Sequence, residues 1–114
     1  MKRDDLIRLR HMFDASNDAV AFAANRKRQD LDTDRMLTLS LLKCIEIVGE
    51  AASHVTRELQ AQYPQIPWED IIGMRHRLIH AYYDVNLDML WKTVTEDLPP
   101  LLEMLKGIIA GEKA

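Results

Sequence analysis

The sequence is poor in the residues that build disulfide-stapled scaffolds and phosphate-cradling loops. Cys44 is the only cysteine among 114 residues, so no internal disulfide can form and a reducing cytoplasm is the expected setting. Four glycines, scattered at Gly49, Gly73, Gly107 and Gly111, make no glycine-rich nucleotide loop, and no cofactor is expected. Four prolines stand in two pairs, Pro64 with Pro67 and Pro99 with Pro100, which leaves long intervals free to be helical. No apolar run reaches membrane-spanning length. The opening MKRDDLIRLR, with acids and bases mixed, lacks the pattern of a secretory leader. Positive charge is also short: 15 basic residues against 18 acidic ones give a formal charge of -3. The surface as a whole does not attract nucleic acid, so any RNA contact must rest on a local patch.

What is present is the composition of one helical domain, residues 1–114, with 47% hydrophobic residues. Leu6, Leu9, Phe13, Val20 and Ala23 recur at helical spacing, and predict a first helix from about Asp4 to Asn25 with Asp4 and Asp5 favouring its dipole. The polar stretch NRKRQDLDTDR, 25–35, reads as a solvated connection in which Asp32 or Asp34 caps the next helix. One long helix is expected from about Asp34 to Gln62, with a seam at Leu41, Ile45, Val48, Ala52, Val55 and Leu59. Gly49 inside it costs about 1 kcal/mol relative to alanine, which a close approach by another backbone would explain. A second apolar stripe, Leu37, Cys44, Ile47 and Ala51, is left over for self-association. The segment around Pro64 and Pro67 ends this helix, and Trp68 opens the next as a core anchor. Asn86 can cap a further helix, carrying Leu87, Leu90, Trp91, Val94 and Leu98, which Pro99-Pro100 kinks or restarts. The expected architecture is all-α, an up-and-down bundle of four or five helices.

Chemistry concentrates in one stretch. Between Arg75 and Tyr83 lie two arginines, two histidines and two tyrosines, in a chain otherwise dominated by leucine-rich helix. Histidine both takes and gives a proton near neutrality. The fixed planar charge of arginine suits phosphate oxygens. His80 could move the proton of an attacking hydroxyl while Arg75 neutralises charge on a phosphate, with no obligatory metal. On a continuous helix, residues five apart point about 140° from each other and residues seven apart nearly coincide. Arg75 and Tyr82 would share a face and His80 would not, so either the helix distorts near His80 or a second copy of the chain completes the site. Glu46 and Glu50, one turn apart, could meet one cation; one of them is expected to orient Arg75, against the competing reading of two solvated carboxylates.

The spacing R-x4-H-x-Y, Arg75 to His80 to Tyr82, resembles the HEPN superfamily and, within it, the HepT-like toxins encoded beside MNT-type nucleotidyltransferases. Glu46 with Gly49-Glu50-Ala51, Ile66-Pro67-Trp68, Gly73-Met74-Arg75 and Asp97-Leu98-Pro99 extend the likeness over almost the whole chain. The resemblance implies a homodimer whose paired motifs form a composite site for metal-independent RNA cleavage. It places the catalytic residues on Arg75, His80 and His76; Arg77, Glu46 and Glu50 are expected in support from the reading of the residues themselves. In a type VII-like toxin–antitoxin pair, the partner nucleotidyltransferase would silence the toxin by moving AMP from ATP onto Tyr82, with Tyr83 as the second candidate. AMP on that face would set bulk and negative charge beside Arg75.

Two other readings compete. A non-catalytic helical module that docks the nucleotidyltransferase would use the same arginines for binding alone. A zinc site from His76, His80 and Asp84, at i, i+4 and i+8, needs an unbroken helix and lacks a fourth ligand. His11, His54 and Tyr83 read as ordinary hydrogen-bonded or packed side chains.

Overall fold

The computed structural model describes residues 1–81 and 84–113, and for residues 80, 81 and 113 the backbone alone. Three long helical rods dominate. The first, α1, spans Arg3–Ala23. A single turn, α2 (Asp30–Thr33), leads into α3 (Arg35–Ser53), and four short helices follow: α4 (Arg57–Gln62), α5 (Trp68–Ile72), α6 (Met74–Leu78) and, after a small hairpin, α7 (Leu87–Lys92). The hairpin pairs β1 (Ile79–Ala81) antiparallel with β2 (Asp84–Val85). A π turn over Thr93–Asp97 joins α7 to α8, Leu98–Lys113. The all-α expectation holds, with the hairpin as an addition to it.

α1 lies at the centre, with α3 against one side and the π turn and α8 against the other. Its neighbours run antiparallel to it, because contacts pin opposite ends. The Arg26 guanidinium, just after α1, meets Asp34, just before α3, at 2.6 Å. Arg28 meets Asp88 at the start of α7, also at 2.6 Å. Leu9, Met12, Leu41, Ile45, Val48, Leu90, Val94, Leu98 and Leu105 are sealed between the rods. Each such side chain contributes about 1.5–3 kcal/mol by leaving water. Of the stripe expected on α1, Leu9 and Ala23 are buried while Leu6, Phe13 and Val20 lie at a half-buried border, because the buried face is rotated toward Met12, Ala15, Ser16 and Ala19.

The connection 24–34 is more ordered than a solvated loop. Asn25 turns the chain with φ of 63°. Arg26 then bridges Asp30 and Asp34, and Asp34 accepts from the Leu37 backbone N–H to cap α3. The Arg26 hydrogen bond, followed by that cap, holds the Asp34 carboxyl below the usual aspartate range. The acids thus neutralise the Arg26-Lys27-Arg28 triplet locally.

The single helix expected from Asp34 to Gln62 is two helices, broken between Ser53 and Arg57. No proline breaks it. Thr56 leaves the helical path, and its hydroxyl accepts from Leu59 N–H to cap α4. The buried carboxylate of Asp5, in the first turn of α1, accepts from Thr56 N–H at 2.9 Å and from the Thr56 hydroxyl at 2.7 Å. A tertiary hydrogen-bond pair therefore overrides a favourable local helix pattern.

The leftover stripe on α3 is also corrected. Leu37, Cys44 and Ala51 are buried inside the chain, and only Ile47 of the four is exposed. The three face α1 and its neighbours within the fold, and burial pushes the Cys44 thiol up. The apolar side chains that α3 presents to solvent are Met36, 80% exposed, Leu39 and Ile47.

Pro99 and Pro100 stand in the first turn of α8, which takes over at Leu98 directly from a π turn. They lack an N–H and crowd the carbonyls four residues back, so the preceding turn widens and Leu98 N–H bonds to the Thr93 carbonyl. The rod continues without a break into α8.

Asp5→Ala should destabilise the fold by about 1–3 kcal/mol, because the half-buried Thr56 N–H and hydroxyl lose the acceptor that Asp5 provides. In chemical denaturation, Thr56→Ala should cost much less when added to Asp5→Ala than when made alone. Additive effects would separate the two residues.

Candidate active site

Arg75 and His76 stand on α6, carried to the flank of α3 by a close backbone contact. A Cβ on Gly49 would lie 3.2 Å from the Ile71 carbonyl oxygen and 3.6 Å from that of Ile72. Glycine is what allows α5 to sit this close, as expected for a mid-helix glycine. Trp68 anchors the start of α5, buried, with its indole N–H shared between the Gln60 and Tyr63 carbonyls at 3.1 Å each. With α5 fixed at both ends, α6 emerges beside the exposed face of α3.

That face carries Lys43, Glu46, Ile47, Glu50 and His54, residues three or four apart and therefore in line. Together with Arg8 and His11 of α1 and Arg75 and His76 of α6, they line an open cleft of about 660 Å³. Arg75 Nε donates to Glu46 Oε1 at 3.1 Å. The two side chains are 46% and 40% exposed, so their pairing contributes no more than about 1 kcal/mol to folding. Its consequence is orientation: it aims the guanidinium along the cleft while leaving it exchangeable for a stronger anion.

Of the two carboxylates singled out in α3, Glu46 meets Arg75 and Glu50 does not. Glu50 pairs with His54 Nε2 at 2.9 Å, one turn away. Arg77 is not brought to Arg75 either. Its guanidinium reaches back to the Asp70 carbonyl at 2.6 Å and borders a different depression, beside Glu96 and Asp97. His76 lines the cleft as an exposed side chain.

The helix ends before His80. α6 stops at Leu78, and Ile79 takes up extended backbone with φ of -122° and ψ of 106°. Ile79 and Val85 pair across the hairpin, a β-branched pair that favours strand, and Asn86 N–H closes it on the Leu78 carbonyl at 2.9 Å. His80 therefore sits, by its backbone, in β1, and its catalytic assignment rests on a side chain outside the described part. Tyr82, the expected AMP acceptor, and Tyr83 lie outside the described residues. The helical argument that put Arg75 and Tyr82 on one face does not hold past Leu78. The same break places His76, His80 and Asp84 on α6, β1 and β2 rather than along the one helix that the zinc reading assumed. Among the described residues no cluster of three metal-ligating side chains forms.

Sequence reasoning missed Arg8, Lys43, His11 and His54 as cleft residues. Lys43 and His54 share the helical phase of Glu46 and Glu50, a signal that was legible. Arg8 and His11 could be found only by knowing that α1 packs beside α3.

Comparison with known proteins points to one chemistry. A family model described as "HepT-like: Ribonuclease HepT-like" matches residues 12–108. The chain is 38% identical over 73 residues to the protein named "Probable ribonuclease HepT" from Thermococcus cleftensis, covering 64% of this chain and 66% of that one. It is 35% identical over 85 residues to a "Putative RNase" of Caldanaerobacter subterraneus subsp. tengcongensis, with 75% and 76% covered. A "Putative RNase" of Methanocaldococcus jannaschii is 29% identical over 100 residues, with 88% and 92% covered. No solved structure matches.

Gly49→Val should force α5 off α3 and destabilise the fold by about 1–3 kcal/mol through overpacking. Thermal unfolding would measure this, and an unchanged midpoint would contradict the close approach.

Proposed function

The chain belongs to the HepT-like ribonuclease family, and from that premise we propose that Arg75 and His80 carry a metal-independent cleavage of RNA in the cleft between α3 and α6. The observation that carries the reading is the Arg75 guanidinium, held by Glu46 beside His76 in an open groove. A scissile phosphate would take over the guanidinium from Glu46, since a phosphate accepts two charge-assisted hydrogen bonds where Glu46 accepts one.

The reaction is attack by a ribose 2′-hydroxyl on the adjacent phosphorus. The 2′-oxygen–phosphorus bond forms as the bond to the 5′-oxygen of the next nucleotide breaks, leaving a 2′,3′-cyclic phosphate and a 5′-hydroxyl. His80 accepts the 2′-hydroxyl proton, Arg75 neutralises charge on the non-bridging oxygens, and the leaving oxygen takes a proton from His76 or from a second copy of the chain. A second copy is part of the proposal. Met36, Leu39 and Ile47, exposed along α3, provide apolar surface for pairing next to the cleft.

The regulatory part extends this. The protein acts as the toxin of a toxin–antitoxin pair, and an MNT-type nucleotidyltransferase silences it by transferring AMP from ATP to Tyr82. Support for this part lies in the motif, in which Tyr82 follows His80 by two residues. The phosphate of that AMP would compete with substrate for Arg75. Among the described residues no helix is long and apolar enough to cross a membrane.

Purified protein should cleave RNA in the presence of EDTA, and Arg75→Ala and His80→Ala should each lower the rate by about 100-fold or more. Cleavage that persists in both variants overturns these roles; RNA left intact by a dimer that still binds the transferase would identify a docking module instead.

Co-expression with the transferase should add one adenylyl group to the peptide containing Tyr82, read by mass spectrometry. Transfer that continues in Tyr82→Phe moves the acceptor elsewhere, with Tyr83 tested next.

A further inference from the structure

We propose that Arg8 of α1 and Lys43 of α3 form a phosphate-binding track that holds the RNA backbone beside the scissile bond. The proposal rests on the ribonuclease reading for the identity of the polyanion, and on the cleft for everything else. Both residues line the same groove as Arg75 and His76. Among the described residues neither has a carboxylate within ion-pairing distance, whereas Arg26, Arg28, Arg75 and Arg77 all do.

The two carboxylates in the groove do not spoil this. Glu46 is engaged by Arg75 and Glu50 by His54. Three permanent cations thus face two carboxylates, and the groove is locally positive in a chain whose overall charge is -3. A groove with excess positive charge attracts a polyanion locally even where the chain as a whole is acidic. Lys43 and His54 are separated by three turns of α3, about 16 Å, so the groove is long enough to take more than one phosphate.

The groove's chemistry also defines what is read. No phenylalanine, tyrosine or tryptophan lines it among the described residues; the aromatic rings it offers are the imidazoles of His11, His54 and His76. Arg8 and Lys43 would bind phosphate and carry no sequence information, which makes the track a positioning element for single-stranded RNA of any sequence. Cleavage preference would then be set by groups nearer to the scissile bond.

The test uses 2′-O-methyl RNA oligonucleotides, which lack the attacking hydroxyl and are bound without being cut. Fluorescence anisotropy over a range of salt concentrations should give, for Arg8→Gln and for Lys43→Gln, a Kd raised roughly three- to tenfold and equally for unrelated sequences. The slope of log K against log salt should shrink by about 0.7 for each phosphate that is no longer neutralised. Lys43→Arg should retain binding, and unchanged circular dichroism establishes that the variants are folded. Unaltered Kd and slope in the double Gln variant, or no binding by the wild type, overturns the track. The ribonuclease reading is judged separately by Arg75-dependent cleavage. If that cleavage fails while the Gln variants still lower the slope, the track survives as an RNA-binding surface; if cleavage holds while the slope is unmoved, only the track falls.

Discussion

The backbone of α5 against the backbone of α3 at Gly49 is the constraint on which the site depends. A Cβ at that position would press on the Ile71 carbonyl oxygen at 3.2 Å and displace α5 by a few tenths of an ångström, and a larger side chain would displace it further. Since α6 follows α5 after one residue, any such displacement would carry Arg75 away from Glu46. The guanidinium and the carboxylate belong to elements separated by 29 positions in sequence. Their meeting at 3.1 Å is a consequence of this packing more than of their mutual attraction, which is weak at half-exposed positions.

A second device works just past the C-terminal end of α3. Asp5 captures Thr56, ends the long helix, and turns the chain so that α4 and the Pro64–Pro67 segment bring Trp68 back against the bundle. The local pattern favours continued helix through this region, with no proline or glycine to stop it. A buried carboxylate with two hydrogen-bond donors outweighs that preference, because leaving either partner unsatisfied inside the fold costs more than breaking a turn of helix.

Charge is divided between fastening and binding. Arg26 and Arg28 are consumed in tying the ends of the rods, and Arg77 in tying α6 to α5. What is left over in the groove is Arg8, Lys43 and an arginine whose partner is exchangeable. An acidic chain can therefore offer a phosphate backbone a local place to bind. The hairpin of β1 and β2 sets the backbone of His80 just beyond the end of the helix that carries Arg75.

The sequence by itself determined the helical class, the buried seam of α3 from Leu41 to Ala52, the caps at Asp34 and Asn86, the anchoring of Trp68 and the family to which the chain belongs. These are set by periodicity, by capping chemistry and by the spacing of a few polar residues, all of which act within a few positions along the chain. Only the tertiary structure decided that the long helix breaks at Thr56, that Leu37, Cys44 and Ala51 face inward, that the helix of Arg75 ends before His80, and that Arg8 and His11 join the groove. The first of these is fixed by a partner fifty-one residues away, and the groove needs α1 and α3 side by side. Side chains distant in sequence act on each other only once packing has placed them in contact, so pattern along the chain cannot carry that information.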